Sequence, residues 1–190
     1  MEELSVIDSP AYAIGAVNTV VWCGGESFGY NTDWIGIRDS LADRKGSRAV
    51  VLGAGGAAAA AVYALKSLDM EITVLNRTVR NAEALGERFG CRSGPPELFD
   101  HVSPDIVVNA TPLGMSPNTK SPLKKEQLRP SMTVFDLVYT PPETPLIRFA
   151  RNSGCSVIHG TEMFVRQATA QFRHFTGIGA PLELVRSMTL

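Results

Sequence analysis

Residues 48–58 carry the most specific chemistry in the chain. Arg48-Ala49-Val50-Val51-Leu52 reads as a strand, and it runs without a spacer into Gly53-Ala54-Gly55-Gly56-Ala57-Ala58, after which an alanine-rich helix begins. This is a G-x-G-x-x-A pattern in a strand-turn-helix setting. The first glycine permits the tight turn, the second lets backbone approach a pyrophosphate, and the small Ala58 lets the helix pack on the strand. The N–H groups at the start of that helix then face the phosphates. A glycine turn alone is common in sheet proteins; the strand before it and the helix after it are what point to a bound dinucleotide. Gly53, Ala54, Gly55, Gly56 and Ala57 are the expected contacts.

The end of the next strand distinguishes the two common dinucleotides. An acidic residue there accepts hydrogen bonds from the ribose 2′-hydroxyl of NAD. Here the sequence is Asn76-Arg77-Thr78. Arg77 offers a planar cationic fork suited to a 2′-phosphate, Asn76 and Thr78 add neutral hydrogen-bonding groups, and Arg80 adds a second charge. NADP(H) is therefore expected in preference to NAD, against the simpler reading of Arg77 as a solvated charge in a turn.

These residues need a scaffold, and the rest of the sequence supplies one. Short β-branched runs alternate with helix-like stretches, the signature of a parallel sheet with crossover helices. Strands are expected at 48–52, 71–75, 105–109, 133–137 and 156–158. Helices are expected at 56–67, 80–89, 144–152, 161–175 and 181–188. The stretch 90–104 is ambiguous, with a weak strand at 91–92 and a short helix near 97–99. The fold class is thus α/β: a Rossmann-like, doubly wound parallel sheet with helices on both faces. Before it, a strand over 13–22, a turn at Gly24-Gly25 and a returning strand over 27–30 form a hairpin too small to bury a core. The expected division is 1–33 as the remnant of a second domain and 34–190 as the dinucleotide domain.

Composition excludes several other classes. With 190 residues, 44% hydrophobic and 19% charged, the chain can bury a core of its own. Eighteen Lys and Arg against nineteen Asp and Glu give a formal charge of -1, so no basic footprint for nucleic acid is present. Cys23, Cys91 and Cys155 are odd in number and widely spaced, which fits a reducing cytoplasm rather than a disulfide framework or a zinc site. The uncharged run from Ala49 to Leu65 approaches membrane-spanning length, but its glycines break it into strand and helix, so no membrane span is expected.

Taken together, the motifs resemble the shikimate dehydrogenase family. They are Gly15-Ala16-Val17-Asn18-Thr19, Asn31-Thr32-Asp33, Gly53-Ala54-Gly55-Gly56-Ala57, Asn76-Arg77-Thr78, Asn109 through Met115, Asp136-Leu137-Val138-Tyr139, Thr144-Pro145-Leu146, and Gly160, Met163 and Gln167, in the family's order. The resemblance implies reversible NADPH-dependent reduction of 3-dehydroshikimate to shikimate without a metal. It carries Asn18 and Asp33 to the ring hydroxyls, with Asp33 also in the acid/base pair, and Tyr139 and Gln167 to the other side of the substrate. It adds Thr111, Gly160 and Met163 to the cofactor contacts, the last two against the nicotinamide.

The residue types suit that reaction. Hydride transfer to a ketone leaves an alkoxide that must be protonated, so the site needs a proton donor and groups that orient a polyhydroxylated ring. Each residue also has a structural reading: Asn18 satisfying backbone at a strand end, Asp33 capping a helix that starts at Trp34, Gln167 on a wet helix face.

Two departures limit the expectation. The family's catalytic lysine and its Ser-x-Ser segment lie upstream of the matched motifs, and Lys45, Lys66, Lys120, Lys124 and Lys125 all follow Asp33. Asn81 also stands where relatives place a second phosphate-binding basic residue. The chain is therefore expected to be inactive or impaired alone. The alternatives are a quinate/shikimate variant or a non-catalytic NADP(H)-binding module. A homo-oligomer, or a separate chain supplying the missing domain, is the expected association.

Overall fold

The computed structural model describes residues 4–189. A six-stranded, all-parallel sheet forms from β4 (Arg48–Leu52), β5 (Glu71–Leu75), β6 (Arg92–Gly94), β7 (Ile106–Asn109), β8 (Thr133–Asp136) and β9 (Ser156–Ile158), in the order β6-β5-β4-β7-β8-β9. The central strands are apolar throughout because both faces are covered. The two-residue side-chain period sends Ala49 and Val51 to one core, with Ala58 to Leu65, and Val50 and Leu52 to the other, with Val107, Val134 and Leu146.

Helix α3 (Gly56–Lys66) follows β4, α4 (Val79–Phe89) follows β5, and α5 (Pro145–Asn152) precedes β9. The run from Ala58 to Val62 is buried throughout. Its small side chains let the helix lie close on the sheet. The ambiguous stretch resolves into β6 and a 3₁₀ turn over Pro96–His101, which starts at the Pro95-Pro96 pair. No helix among the described residues is long and apolar enough to cross a membrane.

The expected hairpin forms around Gly24-Gly25, but its first strand is shorter than the 13–22 expected. Ala13 and Ile14 lie in a helix, α1 (Ser9–Ile14), and the strand begins only at β2 (Thr19–Cys23). The helix is set by its ends: Asp8 accepts a hydrogen bond from the Ala11 N–H at 2.8 Å, Pro10 sits in the first turn, and Gly15 closes it in the left-handed conformation. A further short strand, β1 (Val6–Ile7), pairs in parallel with β3 (Glu26–Tyr30), giving a second sheet of order β1-β3-β2.

This layer is fastened to the large one. The Arg88 guanidinium of α4 donates to the Tyr12 carbonyl at the end of α1, at 3.1 Å. Helix α2 (Asp33–Leu41) packs on α3 and on α6 (Gly160–Thr176), and α7 (Leu182–Thr189) folds back on α6 through an Arg186–Glu162 ion pair of 2.8 Å.

Candidate functional site

The chain leaves β4 toward β5 and β6 on one side, then returns to place β7 on the other side of β4. The switch point between β4 and β7 opens a crevice at the carboxyl ends of the strands, which is where open α/β sheets bind ligands. A groove of about 410 Å³ lies there. Its walls are the Gly55, Gly56 and Ala57 backbone, the segment after β7 with Thr111 and Met115, and the segment after β8 from Leu137 to Thr140.

Gly53 makes the turn at φ +111°, a conformation that disfavours other residues, and a Cβ there would stand 2.8 Å from the Ala110 carbonyl oxygen. Its N–H donates to the Leu75 carbonyl at 2.8 Å, which locks the loop to β5. Gly55 is the N-cap of α3 and has no side chain to occupy the helix's first N–H groups, and a Cβ on it would meet nothing within 4 Å. The helix start therefore keeps both donors and room for an anion.

At the end of β5, Arg77, Thr78 and Arg80 are exposed, and neither arginine enters an ion pair among the described residues. Asn76 turns its side-chain amide back to the Thr78 carbonyl at 3.0 Å and so shapes the turn. The segment after β8 that walls the groove is backed by the N-terminus of α6. Gly160 packs so tightly on the segment after β8 that a Cβ would lie 2.7 Å from the Leu137 and Val138 carbonyl oxygens, and Met163 is buried one turn later.

The polar residues of the N-terminal segment converge on one cluster. Asn18 donates from Nδ2 to Asp33 Oδ1 at 2.7 Å. Its Oδ1 accepts from the Thr32 N–H at 2.9 Å, from Thr32 Oγ1 at 3.2 Å and from Thr19 Oγ1 at 2.8 Å. Thr32 also reaches Gln167 Oε1 on α6 at 3.2 Å. Asn18, Asp33 and Gln167 are thus joined through Thr32. Tyr139 stands on the groove wall instead, 49% exposed and tilted against Phe164 at 5.0 Å.

Burial holds the Asp33 carboxyl above its ordinary value of 3.8, and the hydrogen bond from Asn18 offsets this in part. Asp33 is the first residue of α2 rather than its cap. The helix start is served by Asn31, whose Oδ1 accepts from the N–H groups of Asp33 and Trp34 at 3.1 and 3.4 Å. The Asp33 carboxylate is thereby left free for Asn18 and for a ligand.

Thr32 and Thr19, which bridge the cluster, were not among the expected site residues. Asn-Thr-Asp before a helix is a readable capping signal for Asn31, but nothing local marks Thr32, whose partner Gln167 lies 135 positions away.

The family model described as "Shikimate / quinate 5-dehydrogenase" matches residues 37–137, and "Shikimate 5'-dehydrogenase C-terminal domain" matches 160–187. The NADP(+) shikimate dehydrogenase of Methanosarcina mazei is 42% identical over 200 residues, covering 96% of this chain and 71% of that protein. The shikimate 5-dehydrogenase of Thermus thermophilus, solved with NADP(H) and shikimate, superimposes with a TM-score of 0.90 at 37% identity, over 100% of this chain and 74% of that one. The quinate dehydrogenase of Corynebacterium glutamicum, solved with NAD, gives 0.91 at 31% identity, over 100% and 73%. With the motif order, the sheet topology and these matches in agreement, the chain belongs to the shikimate dehydrogenase family of oxidoreductases.

Proposed function

We propose that the chain binds NADP(H) across the β4–β7 switch point and serves the reversible reduction of 3-dehydroshikimate to shikimate. The observation that carries this reading is the Asn18–Asp33 hydrogen bond, made by a carboxyl whose proton affinity burial has raised. Asp33 opens α2, which packs on α6, and the first residue of α6, Gly160, lies against Leu137 and Val138 of the groove wall.

Gly53 to Ala57 would hold the pyrophosphate, and Asn76, Arg77, Thr78 and Arg80 the 2′-phosphate end. Thr111, Gly160 and Met163 would line the nicotinamide. Asn18, Asp33, Tyr139 and Gln167 would orient the ring. Bound NADPH would supply the hydride for the carbonyl carbon, and the carbonyl oxygen would need a proton. Asp33 is suited to holding that proton because desolvation disfavours its charged form.

Among the described residues Asp33 pairs with no cation. A proton relay works best with a second group that balances the aspartate's charge, so we propose that these residues alone turn over slowly or not at all while still binding cofactor. The same observation supports the second reading, a non-catalytic NADP(H)-binding module. Quinate is the substrate variant, in keeping with the breadth of the matched family description. The three unpaired thiols fit the cytoplasm as the place of action.

Calorimetry of shikimate and of quinate onto the NADP-loaded chain tests the proposal, together with the absorbance of NADPH after addition of 3-dehydroshikimate. Shikimate should bind, and Asn18→Ala should abolish the binding. A chain that neither binds shikimate nor consumes NADPH would overturn the dehydrogenase reading and leave the binding module.

A further inference from the structure

The two walls of the groove beyond β7 and β8 belong to different strand connections, and one buried carboxylate holds them together. Asp136, the last residue of β8, is 0% exposed. Its Oδ1 accepts from Asn109 Nδ2 at 2.8 Å and from the Val138 N–H at 3.1 Å, and its Oδ2 accepts from Thr144 Oγ1 at 2.6 Å.

Asn109 extends the link into the opposite wall. Its Nδ2 also donates to the Leu113 carbonyl at 3.2 Å, while its Oδ1 accepts from the Thr111 N–H at 3.0 Å and from Thr111 Oγ1 at 2.7 Å. Both protons and both lone-pair directions of that amide are in use. On the other side Thr144 Oγ1 accepts from the Ile147 N–H at 3.2 Å and so caps α5. A continuous chain of hydrogen bonds therefore runs from Leu113 and Thr111 through Asn109 and Asp136 to Val138 and Thr144.

Burying a carboxylate without a cation is costly, and no ion pair to Asp136 is formed among the described residues. Burial accordingly raises its proton affinity, offset in part by Thr144, Val138, Asn109 and the nearby His159. A satisfied buried polar network of this kind rigidifies what it joins. What it joins here is Thr111 on one wall and Leu137 to Thr140 on the other, whereas Arg77 and Arg80 lie across the sheet beyond β5 and share none of its hydrogen bonds.

We propose that Asp136 is a positioning residue that fixes the spacing of the two groove walls, and so governs how the nicotinamide half of the cofactor is held without acting on the adenosine half. The inference rests on the NADP(H) reading above. Asp136 touches neither cofactor nor substrate in this role; it acts through Asn109, Val138 and Thr144.

The test compares two ligands on the full chain: NADPH, and 2′-phospho-ADP-ribose, which lacks the nicotinamide. Asp136→Ala and Thr144→Val should each weaken NADPH about tenfold and reduce the emission enhancement of the bound dihydronicotinamide. Affinity for 2′-phospho-ADP-ribose should stay within about twofold. Asp136→Asn keeps an oxygen for Asn109 and Val138 and an amide that can donate to Thr144, and should recover most of the loss.

If Asp136→Ala does not fold, Thr144→Val carries the comparison, since it removes one hydroxyl. Equal loss of both ligands in Thr144→Val, or unchanged NADPH affinity and emission in every variant, would overturn the proposal while leaving the cofactor reading intact. Wild-type chain that binds neither ligand would overturn the cofactor reading, and this proposal with it.

Discussion

Asp33 is held in the folded chain at a cost to stability, because burial raises its pKa above the ordinary 3.8. A group of this kind adds stability below its unfolded pKa and loses that contribution as pH rises through the raised folded value. Asp33→Asn keeps an oxygen for the Asn18 amide and removes the buried charge. Its melting temperature should exceed that of wild type at pH 7, with the gap closing as the pH falls to 3.8 and below, while any turnover is lost. A variant less stable than wild type at pH 7 would contradict the assignment. At the other end of the cofactor, Arg77→Gln should weaken NADPH by at least about tenfold, the effect of losing a charged hydrogen bond of ~1.5 kcal/mol, and leave NADH unchanged by calorimetry. Asn18, Asp33 and Gln167 were singled out together only through the family resemblance, and the structure joins them through Thr32. The threonines between them were not singled out, because a buried hydroxyl is defined by partners that only the tertiary fold brings near.

The helices and strands were legible to different degrees for reasons of length and burial. Strands β4, β5, β7 and β8 read clearly because covering both faces makes them continuous apolar runs. Helix α1 has six residues, too few for a helical period to show, and its alternating Ala13 to Trp22 extension mimicked a strand. Its signal was in the caps, Asp8 and Gly15, rather than in the pattern between them. Asp8→Ala should therefore lower stability by about 1 kcal/mol in urea unfolding, the usual effect of losing an N-cap. Gly160→Ala has a different origin. It forces a methyl against two carbonyl oxygens 2.7 Å away, so α6 and the segment after β8 must separate, at about 1–3 kcal/mol, with loss of NADPH affinity because that segment walls the groove.

At the scale of the whole molecule, a six-stranded parallel sheet places the Gly53–Ala57 loop at its switch point, and a smaller three-stranded sheet carries Asn18, just before β2, to Asp33. The doubly wound fold was legible because strand and helix signals alternate over most of the chain. The way the smaller sheet docks was not, since it depends on Arg88 reaching Tyr12 across 76 positions. Strands β1 and β2 form the two edges of that sheet, and Trp22 on β2 is 74% exposed. Unpaired edges and an exposed large aromatic favour association, so light scattering should report a species larger than the monomer; a monomer at micromolar concentration would contradict this. The central claim is that Gly53 to Ala57 and Arg77 form an NADP(H) site. It is tested most directly by titrating NADPH and NADH onto the purified chain while following dihydronicotinamide fluorescence. NADPH should saturate with a Kd at least about tenfold below that of NADH; no binding of either, or equal binding of both, would contradict the account.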